Sequence, residues 1–136
     1  MAEPEAAATR RRVLVVEDNR QNLELVEYLL EEAGMEVSSA ADAVQARAEL
    51  ERGLPDLVLM DMQLPGMAGL ELVGELRRDP RFRCLPIVAL TAHALRGDRE
   101  RFLAGGCDGY IPKPIDVTTF ADEVRDLMAG FEEGRR

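Results

Sequence analysis

The sequence predicts an α/β domain, a five-stranded parallel sheet with helices on both faces, built by a strand and a helix alternating five times. Three observations predict it. Short apolar runs recur at residues 13–16, 35–40, 57–60, 87–90 and 109–111. Between them lie segments whose apolar residues fall three and four apart, the spacing of an amphipathic helix. The runs at 57–60 and 87–90 are apolar throughout, as central strands covered on both faces must be. Strands alternating with helices imply right-handed crossovers and hence parallel pairing.

The elements follow in order. Residues 1–11 read as a disordered tail: 1–9 are rich in Ala and Glu with no apolar period, and Arg10-Arg11-Arg12 is a solvated boundary. After the first strand, Leu23, Val26, Leu30 and Ala33 mark a helix over 22–33, stopped by Gly34. The second strand is 35–40, and a second helix over 42–51 ends at Gly53. The third strand leads to a turn at Pro65-Gly66 and a helix over 69–78, closed by Asp79-Pro80. Ala68 precedes that helix, so no side-chain cap is expected there. The fourth strand is followed by a short helix over 98–104, ended by Gly105-Gly106. Tyr110-Ile111 is the fifth strand. Val117, Phe120, Val124, Leu127 and Phe131 mark the last helix, with Asp116 as its N-cap. The domain is therefore 12–131, and 132–136 is a tail.

Composition narrows the function. A chain of 136 residues suits one domain with one core. It is 46% hydrophobic and 32% charged, as soluble domains are, and its net charge of −9 repels nucleic acid. No apolar stretch is long enough to span a membrane and no signal core is present, so a cytoplasmic location without direct membrane contact is expected. Cys84 and Cys107 read as free thiols filling small buried positions.

The carboxyl ends of parallel strands share an edge, and ligands of open α/β sheets bind there. The first strand runs into Glu17-Asp18, the third into Asp61, the fourth into Thr91 and the fifth, through Pro112, into Lys113. Carboxylates brought that close repel unless a cation intervenes. An all-oxygen set favours Mg²⁺, with Mn²⁺ able to substitute. Lys113 supplies a point charge and Thr91 a hydroxyl for a phosphoryl group. Asp61, at the end of a central strand, is the candidate nucleophile for an aspartyl-phosphate. Taken singly, each of these residues suits an ordinary turn or cap; their joint placement at strand ends marks a site.

The chain resembles the receiver domains of two-component response regulators over residues 12–131. The matching stretches are VLVVEDN from Val13, DLVLMDMQLPGMAGLEL from Asp56, PIVALTA from Pro86 and GYIPKPI from Gly109. The resemblance implies the doubly wound, flavodoxin- and CheY-like strand order 2-1-3-4-5. It implies that Asp61 accepts a phosphoryl group from phosphohistidine on a histidine kinase or a histidine phosphotransferase protein. Asp18, Asp61 and the Gln63 carbonyl would bind Mg²⁺, with Glu17 acting through water. Thr91, the Ala92 N–H and Lys113 would bind the phosphoryl oxygens, and the Lys113-Pro114 bond would be cis. Gln63 and His93 hold the positions that tune dephosphorylation. Thr91 and Tyr110 hold the switch positions, Tyr110 turning inward to remodel the face made by the fourth helix, fifth strand and fifth helix, where a downstream protein would bind.

Such a protein is a phosphoacceptor switch that assists its own phosphorylation and dephosphorylation, not an enzyme with a separate substrate. The run Glu17 to Asn22 resembles receivers of phosphorelays and hybrid histidine kinases, and the stretch from Thr91 to Tyr110 resembles single-domain regulators of the DivK type. Those modulate histidine kinases in control of cell cycle and cell fate. A CheY-type motor regulator or a receiver cut from a hybrid kinase shares the same chemistry. An aspartate-nucleophile phosphatase needs a second aspartate where Gln63 stands and a cap insertion for which there is no room. Leu25, Tyr28 and Leu29 on the first helix form the expected docking surface for the histidine-bearing partner.

Overall fold

Each of the five apolar runs is a strand: β1 (Arg12–Val16), β2 (Glu36–Ala40), β3 (Leu57–Asp61), β4 (Ile87–Thr91) and β5 (Gly109–Pro112). The structure, a computed structural model, describes residues 10–92 and 97–134. The strands pair in parallel in the order β2-β1-β3-β4-β5, with β3 at the centre. The crossovers are α1 (Arg20–Glu32), α2 (Ala43–Arg52), α3 (Gly69–Arg77) and α4 (Asp98–Ala104), and α5 (Phe120–Gly134) closes the chain.

Alternation along the strands divides the core in two. Val13, Val15, Leu57, Leu59, Val88 and Leu90 face α1 and α5, meeting Val26, Leu30, Phe120 and Val124. Leu14, Val16, Val58, Met60, Ile87 and Ala89 face α2, α3 and α4, meeting Leu50, Leu72, Val73 and Phe102. Each fully buried side chain of Val or Leu size stabilises the fold by about 1.5–3 kcal/mol. Register then fixes the functional edge: Val16 lies beside Ala40 and Met60, Asp61 beside Leu90, and Thr91 beside Pro112.

Several boundaries differ from the sequence reading. The first helix begins two residues early, at Arg20, because the Asn19 side chain accepts the Asn22 N–H (3.0 Å) and serves as its N-cap. Gly34 ends it as expected, at φ +90° where a side chain would be strained. The last helix begins at Phe120 rather than near Val117. Asp116 spends its carboxylate on the Thr118 N–H and hydroxyl (3.0 and 2.7 Å), so it shapes a turn before the helix. That helix continues through Gly134, so residues 132–134 are not tail. Glu132 holds Arg11 (2.6 Å), and Phe131 packs against the core. Two features were not foreseen: a two-residue hairpin pairing Gln63–Leu64 with Met67–Ala68, and a 3₁₀ turn at Pro80–Phe82. Cys107 is buried, but Cys84 is exposed just after that turn, contrary to expectation. The tail at 1–9, His93 and Arg135-Arg136 lie outside the described residues.

Candidate functional site

The site is assembled by backbone pairing before any side chain is considered. The Glu17 N–H still donates to the Ala40 carbonyl (2.9 Å), so sheet pairing runs one residue past β1 and turns Glu17 inward to 1% exposure. Its Oε2 accepts the Asn19 N–H (3.1 Å), which leaves Asp18 exposed between two fixed residues. Asp61 ends β3 at 5% exposure, and its Oδ1 accepts the Gln63 N–H (2.9 Å). The Lys113 N–H donates to the Thr91 carbonyl (2.7 Å), and the Lys113-Pro114 peptide bond is cis.

Lys113 reaches back across the cleft. Its Nζ lies 2.8 Å from Glu17 Oε1 and 3.3 Å from Asp61 Oδ2. Glu17, Asp18 and Asp61 each offer a carboxylate oxygen, and these atoms lie within 4.8 Å of one another. Among the described residues, three carboxylates thus gather around one ammonium that contacts two of them, and two of these groups shift their titration. Burial pushes the Glu17 carboxyl up from its ordinary value; the Lys113 and Asn19 hydrogen bonds pull back, and Asp61 raises it further. Burial alone would lower Lys113, yet Glu17 and Asp61 together hold its pKa above the ordinary value. The Glu17 shift is led by burial and the Lys113 shift is sustained by its two carboxylate partners, so the described residues leave this acidic cluster in need of further positive charge. A hard divalent cation on these oxygens meets that need, so the cluster supports divalent-metal binding.

The remaining predicted residues fall around this cluster. Thr91 is fully buried at the end of β4 and Ala92 is exposed beyond it. Gln63 is exposed in the short hairpin that follows Asp61. Tyr110 is half-buried on β5, its ring stacked on Phe102 with centroids 5.9 Å apart and planes at 24°. On α1, Leu25 and Tyr28 are 37% and 60% exposed. Leu29 instead packs partly against the core and offers less surface. A cavity of about 430 Å³ is lined by Asn22, Leu25, Ala92, Lys113, Pro114 and Ile115, so the α1 surface and the cleft are continuous.

Two residues escaped the sequence reading. A Cβ at Gly69 would lie 2.5 Å from the Asp61 carbonyl oxygen, so only glycine lets α3 start against the acidic loop. The helix start itself has no side-chain cap, as expected, but the Glu71 carboxylate accepts the Ala68 N–H (3.2 Å). The clue to Gly69 is its place at the junction of turn and helix. Phe102 is the second omission; it is the one aromatic residue in α4.

The strand order and the acidic, lysine-bridged cleft together define a class. Residues 13–125 match the response regulator receiver domain family, and the chain belongs to that family of two-component receiver domains. Within it, the chain is 39% identical over 118 residues to the polar-differentiation response regulator DivK of Brucella anthropi, covering 87% of this chain and 96% of that relative. DivK of Brucella melitensis matches to the same extent. Among solved structures, the receiver domain of a Pseudomonas aeruginosa sensor histidine kinase is 36% identical with a TM-score of 0.79, covering 89% of this chain and 99% of that one; it holds a magnesium ion in its active-site cleft. The chemotaxis response regulator CheY4 of Vibrio cholerae is 28% identical with a TM-score of 0.82, covering 88% and 99%. Receiver domains as a class interact with histidine kinases and phosphotransfer proteins. Among the described residues, no helix is long and apolar enough to cross a membrane.

Proposed function

We propose that this chain is a phosphoacceptor switch that takes a phosphoryl group from phosphohistidine onto Asp61 and signals by protein binding. The observation that carries the reading is Lys113 bridging buried Glu17 and Asp61, with Asp18 alongside. Asp18, Asp61 and the Gln63 carbonyl would hold Mg²⁺, or Mn²⁺ in its place, with Glu17 acting through water. When bound, the cation supplies positive charge beside the phosphoryl oxygens.

A carboxylate oxygen of Asp61 attacks phosphorus in line. The new P–O bond forms as the P–N bond breaks, and the electron pair stays on the imidazole nitrogen, which takes a proton from solvent. Lys113 exchanges its carboxylate contact for a phosphoryl oxygen, and the Thr91 hydroxyl and Ala92 N–H take others. Gln63 and His93 set how water reaches the product. Thr91, drawn toward the phosphoryl group, makes room for Tyr110 to turn inward, shifting the population at the α4-β5-α5 face where the downstream partner binds.

The likeness to DivK supports a role in modulating a histidine kinase in cell-cycle or cell-fate control. Leu25, which lines the cavity beside Lys113, and Tyr28, exposed three residues along α1, support docking of a histidine kinase or histidine phosphotransferase on α1. The test is an intact mass after incubation with Mg²⁺ and acetyl phosphate. One phosphoryl group should be gained, removed by hydroxylamine and absent in Asp61→Asn; gain at another residue overturns the reading. Leu25→Ser with Tyr28→Ser should slow transfer from a phosphotransfer protein by at least about tenfold and leave acetyl phosphate within about twofold.

A further inference from the structure

Phe102 belongs to α4, yet it is 2% exposed and is the helix's one buried side chain. It stacks on Tyr110, with ring centroids 5.9 Å apart and planes at 24°, an offset geometry that aromatic pairs favour. Tyr110 lies directly beside Ala89 in the β4–β5 register, one pleat from Thr91, and Ala89 is the smallest side chain of β4. Ala89, Phe102 and Tyr110 pack in the same half of the core. Tyr110 is therefore bounded by β4, which ends in Thr91, and by the ring of Phe102. The base of α4 is fixed: the Gly106 carbonyl just beyond it accepts two bonds from Arg77 (3.0 and 2.8 Å). A change at Tyr110 must then be taken up at Phe102.

We infer that Phe102 is a positioning residue that sets the resting position of Tyr110 and carries its movement into α4. This rests on the reading of Tyr110 as the switch. In the unphosphorylated protein the stack holds the Tyr110 ring against α4; turning inward breaks it, and α4 loses its one buried anchor. An aromatic pair of this kind biases an equilibrium by about two- to tenfold. Removing the ring therefore makes the switched state more accessible before any phosphoryl group arrives, and a receiver in that state is the better acceptor.

The chain has two tyrosines and no tryptophan, so in a Tyr28→Phe background Tyr110 is the only strong fluorophore. In that background, the emission of Tyr110 and the rate of phosphorylation by acetyl phosphate with Mg²⁺ are measured for Phe102, Phe102→Leu and Phe102→Met. Both substitutions should move resting emission toward the phosphorylated value and speed phosphorylation about two- to tenfold. The rate effect should vanish when Tyr110→Ala is added. Unchanged emission and rate in the folded variants, or the same rate effect with Tyr110→Ala, overturns the role of Phe102. If emission in the Phe102 parent does not change on phosphorylation, the switch reading of Tyr110 itself fails. Thermal melts followed by circular dichroism identify which variants are folded; Met, the longer and more adaptable replacement, keeps the test open if Leu is not.

Discussion

The two ends of the sheet use ion pairs in opposite ways. At the amino end Arg77 and Asp108 form a matched pair. Arg77 donates to the carbonyls of Gly106, Phe82 and Leu85 and to Asp108 Oδ2 (2.7–3.0 Å), and the same Asp108 oxygen accepts the Ile87 N–H that starts β4 (2.9 Å). Asp56 Oδ2 likewise accepts the Arg12 N–H at the start of β1 (2.8 Å). At the carboxyl end Glu17 and Asp61 share Lys113, and Asp18 stands beside them without a contact to it. A matched set stiffens loops, while an unmatched set stores repulsion that a cation or a phosphoryl transfer can relieve. The difference separates structure from function by counting charges, with no appeal to which residues look reactive.

The comparison can be broken by substitution. The largest effect is expected at Asp61→Asn, which should abolish phosphoryl incorporation while melting no lower than the parent, since it removes a repelling carboxylate and leaves Lys113 on Glu17. Lys113→Ala should follow, slowing phosphorylation by acetyl phosphate about 10²-fold, the effect of removing one donor at a developing charge. Arg77→Ala should do the reverse. It strands carbonyls and a carboxylate at the amino end, costing about 2–3 kcal/mol and roughly 10 °C in Tm, while the phosphorylation rate of the folded protein stays within about twofold. A rate loss matching Lys113→Ala would break the division between the two ends.

A smaller effect concerns pH. Because burial raises Glu17 above its ordinary 4.5, the folded state holds that proton more tightly than the unfolded chain. Glu17 thus costs stability progressively as pH rises from about 4.5 toward its raised value, and the cost persists at neutral pH. In metal-free buffer, Glu17→Gln should flatten that part of the stability profile. The smallest is at the thiols. Exposed Cys84 should react with a thiol reagent in the native protein, whereas Cys107, its pKa pushed up to about 11 by burial, should react only on unfolding.

How much was readable in advance follows the same physics. The strands and both helix layers were legible because apolar periodicity is a local signal, and the strand ends named Glu17, Asp61, Thr91 and Lys113 because parallel strands share an edge. The Asn19 cap was missed because the apolar stripe starts later, at Leu23, and the last helix was cut short because its final residues are held by Arg11, far away in sequence. Phe102 could not be read at all, since it depends on a ring from another element, and Gly69 showed only its place between turn and helix, not the carbonyl 2.5 Å from an absent Cβ. Arg77 is similar, since a surface-type residue at a helix end gives no sign of the carbonyls it will collect.

Among the described residues, the carboxyl end of the sheet carries unmatched negative charge that suits a divalent cation. The most direct measurement is a Mg²⁺ titration of thermal unfolding at constant ionic strength, run on the parent, Asp61→Asn and Arg77→Ala. Tm should rise and saturate with Mg²⁺ in the parent, rise equally from its lower starting point in Arg77→Ala, and stay largely flat in Asp61→Asn. A Tm indifferent to Mg²⁺ in the parent, or a full response in Asp61→Asn, would contradict a divalent-cation site there.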